Sequence, residues 1–370
     1  MTLKEFLYNA PNGDTVLVPY IDPQDLLAFL LEHHPDVLVG GTSNPQEMAL
    51  HLESFWNGYK LQNAEHLVFR EHANSLQSTI PLFYHGDEGR GKRRGNTVVL
   101  SCESPIGIHT TLPSRKRGRD ECHCKPPAAL ERKYGRTTRK ISSRLRPPLR
   151  SQQTNMRGHS FLQHFCLCII PSSWHHVYPD LLTEFLTHLA GLFRRLFYEG
   201  ITVKSRHFCA AICGAKGDLK WYTKAAKLDR SFEHKGGVRN IMCCHECLAG
   251  QDNMPWEDFS EIPSWAPTRF SQRPWSTAPP LSLIPYIPNA PERQIKRDPF
   301  HLCKVGNFRD HAASCVCYMI HAGLFGAVGD FDLKLQAAHG AFQLYCRANG
   351  TSPSLRSFSR ALLNYPRFES

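Results

Sequence analysis

Apolar residues recur along this chain with two periods, and the alternation between them predicts the order of elements. From Pro179 to Gly200, the residues Leu182, Phe185, Leu186, Leu189, Leu192, Phe193 and Leu196 stand three and four apart. That spacing predicts a helix with one buried face, ended at Gly200. On either side lie short β-prone runs. Ser78 to His85 and Asn96 to Cys102 flank a glycine-rich turn and predict a hairpin. His159 to Ile170 predicts a strand, as does Arg206 to Cys213, which leads through Gly214-Ala215-Lys216-Gly217-Asp218 into a helix from Leu219 to Leu228.

Residues 1–77 read as a mainly helical N-terminal region. Asp22-Pro23-Gln24-Asp25 caps an apolar helix, and Ser43-Asn44-Pro45-Gln46-Glu47 opens another whose face is Met48, Leu50, Leu52, Phe55 and Trp56. Residues 251–299 are rich in proline and tryptophan with little periodicity, which predicts a connector or insertion. Helices are predicted again from Phe300 to about His321 and from Phe331 to Ala348.

Composition sharpens this layout. The 370 residues are 41% hydrophobic, enough for a sizeable core, and no run of 18 apolar residues predicts a membrane-spanning helix. The formal charge of +11 is not spread evenly: Arg115 to Arg150 holds 13 basic and 3 acidic residues, leaving +1 for the other 334. Residues 113–158 also lack apolar periodicity and carry Pro126-Pro127 and Pro147-Pro148, so they predict a basic, disordered insertion. Within it, Arg115-Lys116-Arg117-Gly118-Arg119 has the character of a nuclear-localisation or phosphate-contacting patch. This favours a nuclear location over a cytoplasmic one. The 14 cysteines form no regular secreted framework and fit a reducing compartment.

Two groups of residues carry candidate chemistry. Asp87 and Asp218 each follow a strand-like run. Carboxylates at the ends of neighbouring strands are how an RNase H-like core assembles a site for Mg²⁺ or Mn²⁺, hard ions that take oxygen ligands. The bland alternative makes Asp87 a turn residue and Asp218 a helix N-cap. Glu88 competes with Asp87, because adjacent strand residues face opposite ways. Asp310, in the C-terminal helix, is the candidate third acid. The second group is Cys244-His245-Glu246-Cys247, half of a tetrahedral Zn²⁺ site. Asp298 and His301, three apart, are candidate partners, with Cys303, Cys243 and His234 as further options. A Cys-x-x-Cys redox motif is the competing reading.

The order of these signatures is more specific than any one of them. His85-Gly86-Asp87-Glu88-Gly89-Arg90-Gly91, then Lys216-Gly217-Asp218-Leu219-Lys220-Trp221, then Cys244-His245-Glu246-Cys247-Leu248-Ala249-Gly250, then Asp298-Pro299-Phe300-His301-Leu302 resembles DDE/D cut-and-paste transposases. The likeness is to the CACTA and KDZ superfamilies, and more closely to transposon-derived open reading frames multiplied in dinoflagellate genomes. It spans roughly residues 78 to 345. It implies an α/β fold with an RNase H-like core, a mixed sheet with flanking helices, and a zinc-binding insertion. It also implies DNA as partner, Asp87, Asp218 and a third acid as catalytic residues on Mg²⁺ or Mn²⁺, and Cys244, Cys247, Asp298 and His301 as zinc ligands. The family has a Glu as third acid, and residues 300–368 contain none. Either Asp310 substitutes, or the acid lies beyond a truncated C-terminus. The core is then divided as 78–112 and 159–230, with the insertion at 231–299 and a helical part at 300–370. The alternative function is a non-catalytic, zinc-stabilised nucleic-acid or protein-binding module. Self-association is compatible with either.

Overall fold

Residues of alternating character open the chain: Phe6 and Tyr8, then Val16, Val18 and Tyr20, each separated by a polar or exposed neighbour. In the computed structural model they form a hairpin, β1 (Lys4–Asn9) and β2 (Thr15–Tyr20), turned at Pro11-Asn12-Gly13, where Gly13 has φ +89°. The expectation of a helical N-terminal region therefore fails for its first twenty residues. The period of two and the Asn-Gly turn outweigh the short apolar run. The structure describes residues 2–90, 95–108, 110, 164–231, 242–298, 308–326, 328–351, 355–363 and 365. The whole predicted insertion 113–158, including the basic stretch 115–150, and His301, Cys303 and His234 lie outside them.

Helices follow where the caps predict them. α1 (Pro23–His33) is capped by Asp22, which accepts from the Gln24 amide at 2.9 Å and from Lys4 Nζ at 2.8 Å, tying the helix to β1. After the single turn α2 (Pro35–Leu38), α3 (Pro45–Asn63) starts on Asn44, whose side chain accepts from Gln46 and Glu47. The indole of Trp56 in α3, fully buried, donates to the Thr79 carbonyl at 2.8 Å. That bond fixes the start of β3 (Thr79–Arg90). The short turn α4 (Val68–Glu71) precedes it.

β3 and β4 (Asn96–Glu103) form the predicted hairpin, and β5 (Phe165–Pro171) pairs antiparallel with β4. The turn α5 (Trp174–Val177) leads to α6 (Leu181–Tyr198), whose apolar stripe is buried as its spacing predicts. Phe193 of α6 meets Tyr84 of β3 edge-on at 5.9 Å, and Phe185 meets Phe6 and Tyr20, so α6 covers one face of the sheet. The chain then returns through β6 (Ile201–Val203) into β7 (Arg206–Lys216), which runs parallel to β3. The result is a mixed seven-stranded sheet in the order β1-β2-β5-β4-β3-β7-β6. β7 is buried over most of its length, as a strand flanked on both sides should be. α7 (Leu219–Ala225) follows at once.

The Pro- and Trp-rich segment packs against this core instead of merely connecting. Trp275, Leu281, Ile284 and Tyr286 are buried, and Ile295 forms a parallel bridge to Ala215 at the end of β7. This first unit ends at Lys296. The second, Arg297–Ser370, contains α8 (Phe308–His321) and α9 (Phe331–Ala348), packed together through Ile320, Leu335 and Ala338. No helix among the described residues is long and apolar enough to cross a membrane.

One buried histidine makes the first unit acid-sensitive. His66 Nδ1 accepts from the Val68 amide at 3.0 Å, while Nε2 meets the Ile212 carbonyl at 3.1 Å, so the neutral ring is satisfied at both nitrogens. Burial lowers its pKa to about 4. The unfolded chain titrates near 6.5, so it binds a proton that the folded chain refuses. Stability is complete above about pH 6.5 and falls as the pH drops towards 4, by about 3 kcal/mol over that window. Urea unfolding across this range should show a slope, to which the other buried histidines, His72 and His85 among them, contribute in the same direction, and a His66→Gln variant should have a measurably shallower one. An unchanged slope in the variant would assign the effect to other groups.

Candidate functional site

Both acids follow a glycine, Gly86-Asp87 and Gly217-Asp218, and the fold gives one reason for both. The indole of Trp221, buried in α7, lies against the two glycines. A Cβ on Gly86 would stand 2.2 Å from the ring, and one on Gly217 would stand 2.4 Å from the ring and 2.6 Å from the Gly86 carbonyl oxygen. Gly217, just past β7, thus lies against the backbone of β3 at Gly86; β3 itself continues to Arg90, so Asp87 sits inside the strand and not at its end as the sequence suggested. The parallel ladder of β3 and β7 ends at His85 and Lys216, and Asp87 and Asp218 each lie two residues beyond that pair, Asp218 with extended backbone. Both side chains are half-buried. Asp87 accepts from the Glu88 amide at 2.7 Å, and Asp218 from the Trp221 amide at 2.6 Å. Asp218 is therefore the N-cap of α7, which leaves its second oxygen available for other chemistry.

Glu88 points the other way. It faces α7, where Lys224 Nζ meets it at 2.6 Å and Asn96 Nδ2 at 3.3 Å. Burial pushes its pKa up, but the Lys224 bond wins and holds the carboxyl at about 2. It is an anchored anion, so the competition between Glu88 and Asp87 falls to Asp87.

On the face of Asp87, and further down the strands, lies a group that no motif marks. Glu103 at the end of β4 is buried and is bound by Lys216 and by His164 Nδ1, the latter at 3.0 Å. Burial would raise its pKa, yet His164 and Lys216 hold it at about 2. The His85 ring lies 6.1 Å from that of His164, and its pKa is lowered, first by burial. Lys216 also sits over Phe83 at 4.7 Å. The only trace in sequence is the strand parity that sets Glu103 opposite Phe83.

The cysteine motif forms a closed knuckle. The Cys243 amide bonds the Ala249 carbonyl at 3.2 Å, Leu248 donates to Thr268 at 3.0 Å, and Glu246 pairs with Arg269 at 2.8 Å. The Glu246 amide donates to Cys244 Sγ at 3.4 Å, an arrangement that supports a charged sulfur. Burial pushes the Cys247 thiol up to about 11, opposed by the Ala249 backbone and reinforced by Cys244 and Cys243. The buried guanidinium of Arg230 is held by the Gln272 carbonyl, with its pKa lowered by burial and raised by Cys244 and Cys247.

The fold therefore sets Asp87 and Asp218 just beyond the last pair of the β3–β7 ladder, and brings Cys244 to Cys247. Asp310 is an exposed residue in the first turn of α8, in the second unit, paired with its neighbour Arg309 at 2.9 Å. Asp298 falls in the same unit, and His301 outside the described residues. Among the described residues no group of three His, Cys, Asp or Glu side chains is placed to hold a metal ion. As donors, the two Asp carboxylates fit a hard divalent ion, and the two thiols fit half of a Zn²⁺ site. No family model and no curated protein matches the chain.

Proposed function

We propose that this chain is a transposase-derived, DNA-processing protein with an RNase H-like core, in which Asp87 and Asp218 hold Mg²⁺ or Mn²⁺. What supports the reading is the segment β5-β4-β3-β7: three antiparallel strands, a crossover helix, and a fourth strand parallel to the first, with one acid inside β3, three residues before its end, and another two residues past the end of β7. Ile295, bridged to Ala215, stands where a fifth strand of such a core would run. Asp87 and Asp218 would hold the ion against a phosphodiester, and Asp310 is the candidate to complete the acid set. A bound divalent ion there supplies an activated water and charge stabilisation of the leaving oxygen. In this reading the basic stretch contacts phosphates, and the protein acts in the nucleus.

The test is nicking of supercoiled DNA with Mn²⁺ or Mg²⁺. Activity should depend on the ion and fall at least ~10³-fold in Asp87→Asn. Cleavage that persists in that variant would remove the two-acid site.

A second reading, a non-catalytic zinc-stabilised binding module, is favoured by the Cys244–Cys247 knuckle with its amide-to-sulfur bond. In it Cys244 and Cys247 are ligands, with Asp298 and His301 as the proposed remainder of the set. Stoichiometric zinc that is lost in Cys247→Ser, together with DNA binding that needs neither Mg²⁺ nor Mn²⁺ and no nicking, would select this reading.

A further inference from the structure

Helix α8 carries a pair of metal-ligating side chains that neither reading of the function uses. Its inward face is Val316 and Ile320, packed against Leu335 and Ala338 of α9. On the opposite face His311 and Cys315 stand four residues apart, one above the other, and both are exposed. Cys315 Sγ and His311 Nε2 lie 3.5 Å apart. A tetrahedral Zn²⁺ holds a thiolate at about 2.3 Å and an imidazole nitrogen at about 2.0 Å, which sets those two donors about 3.5 Å from each other. The pair therefore already has the bite of the ion, and a turn of helix holds it there.

Distance alone does not make a ligand pair. In β7, Cys209 Sγ and His207 Nε2 also lie 3.5 Å apart, but Cys209 is buried, and burial pushes its thiol up, which opposes the thiolate a metal needs. Cys315 is open to solvent and to an incoming ion. The two donors of α8 are half of a set. A structural zinc site takes four protein ligands, and among the described residues no third His, Cys, Asp or Glu side chain joins this pair. A copy of the same helix, related by a two-fold axis through the ion, brings an identical pair and closes a His₂Cys₂ shell. Two thiolates cancel the charge of the ion, so the closed shell is neutral and can be covered without stranding a charge. Phe308 and Tyr318, 66% and 74% exposed, stand one turn to either side on the same face and supply that cover.

We infer that His311 and Cys315 are a half-site for Zn²⁺, completed by the same two side chains of a second copy of this chain. The ion, and not the surface of the helix, supplies the affinity, so association depends on the metal. Cys244 and Cys247 take no part in it.

The test is sedimentation velocity of the full chain at about 20 μM, with the thiols kept reduced by a phosphine, in EDTA or in a slight excess of Zn²⁺. The wild type should be monomeric in EDTA and dimeric with zinc. Cys315→Ser and His311→Gln change exposed positions of the helix, so they should keep the circular dichroism of the wild type and stay monomeric with zinc. Cys315→Ser should also bind about half an ion less per chain. Cys166→Ser, at an exposed thiol of β5, should dimerise with zinc as the wild type does, and so should Cys247→Ser, which separates this ion from one in the knuckle. A wild type whose mass zinc does not change overturns the proposal. So does a Cys315→Ser protein that still dimerises, or zinc held by Cys315 in a wild type that stays monomeric.

Discussion

Gly86→Ala is expected to destabilise the protein by roughly 3 kcal/mol, at the upper end of what overpacking a core costs and a large part of the stability of an ordinary domain. The added methyl carbon would stand 2.2 Å from the Trp221 ring, which is 1% exposed and cannot swing aside as a surface side chain would. Either β3 shifts away from α7 or the indole leaves its place, and both separate Asp87 from Asp218. The mechanism has a signature that simple strand damage lacks. In Gly86→Ala/Trp221→Leu the smaller side chain makes room for the methyl, so the double variant should be more stable than the sum of its parts by about 1 kcal/mol or more. Chemical denaturation of the four proteins measures the coupling. Strict additivity, or a Gly86→Ala protein as stable as wild type, would show that the contact between glycine and indole does not organise this end of the sheet.

The same contact explains how far the sequence could be read. The strand, helix, strand order around Asp87 and Asp218 was legible because each element carries its own periodicity: α6 buries the stripe spaced at three and four, and α9 begins and ends where its pattern does. The first hairpin was hidden because its strands are six residues long and only three residues of each face the core fully or in part, so a short apolar run near Met1 looked helical. The Gly-Asp repetition was visible, but its cause was not, since Trp221 is four residues from one glycine and far along the chain from the other. Glu103 was invisible for the same reason: Lys216 and His164 reach it only once β4 lies beside β3 and β5. The segment 251–299 looked like a connector because irregular backbone packs its tryptophan and tyrosine without any period. Local pattern thus located the acids, and only the register of β3 and β7 showed that both lie two residues beyond the same pair.

Asp218→Ser is expected to leave the fold intact and to weaken Mn²⁺ binding roughly 100-fold. Asp218 does two jobs in the proposed reading, and this substitution separates them. As N-cap of α7 it accepts from the Trp221 amide at 2.6 Å, a role that serine fills as well as aspartate does. As a metal ligand it joins Asp87 in offering a carboxylate oxygen, which a hydroxyl does not replace for a hard divalent ion. Asp218→Ala removes both and should cost a further ~1 kcal/mol of stability relative to Asp218→Ser. Binding of Mn²⁺ followed by its paramagnetic signal, beside thermal unfolding of the same proteins, gives the two readouts. If Asp218→Ser binds Mn²⁺ as the wild type does, the carboxylate serves only to start α7, and Asp87 holds no metal with it. Because stability is then matched to that of the wild type, such a result could not be put down to a damaged fold.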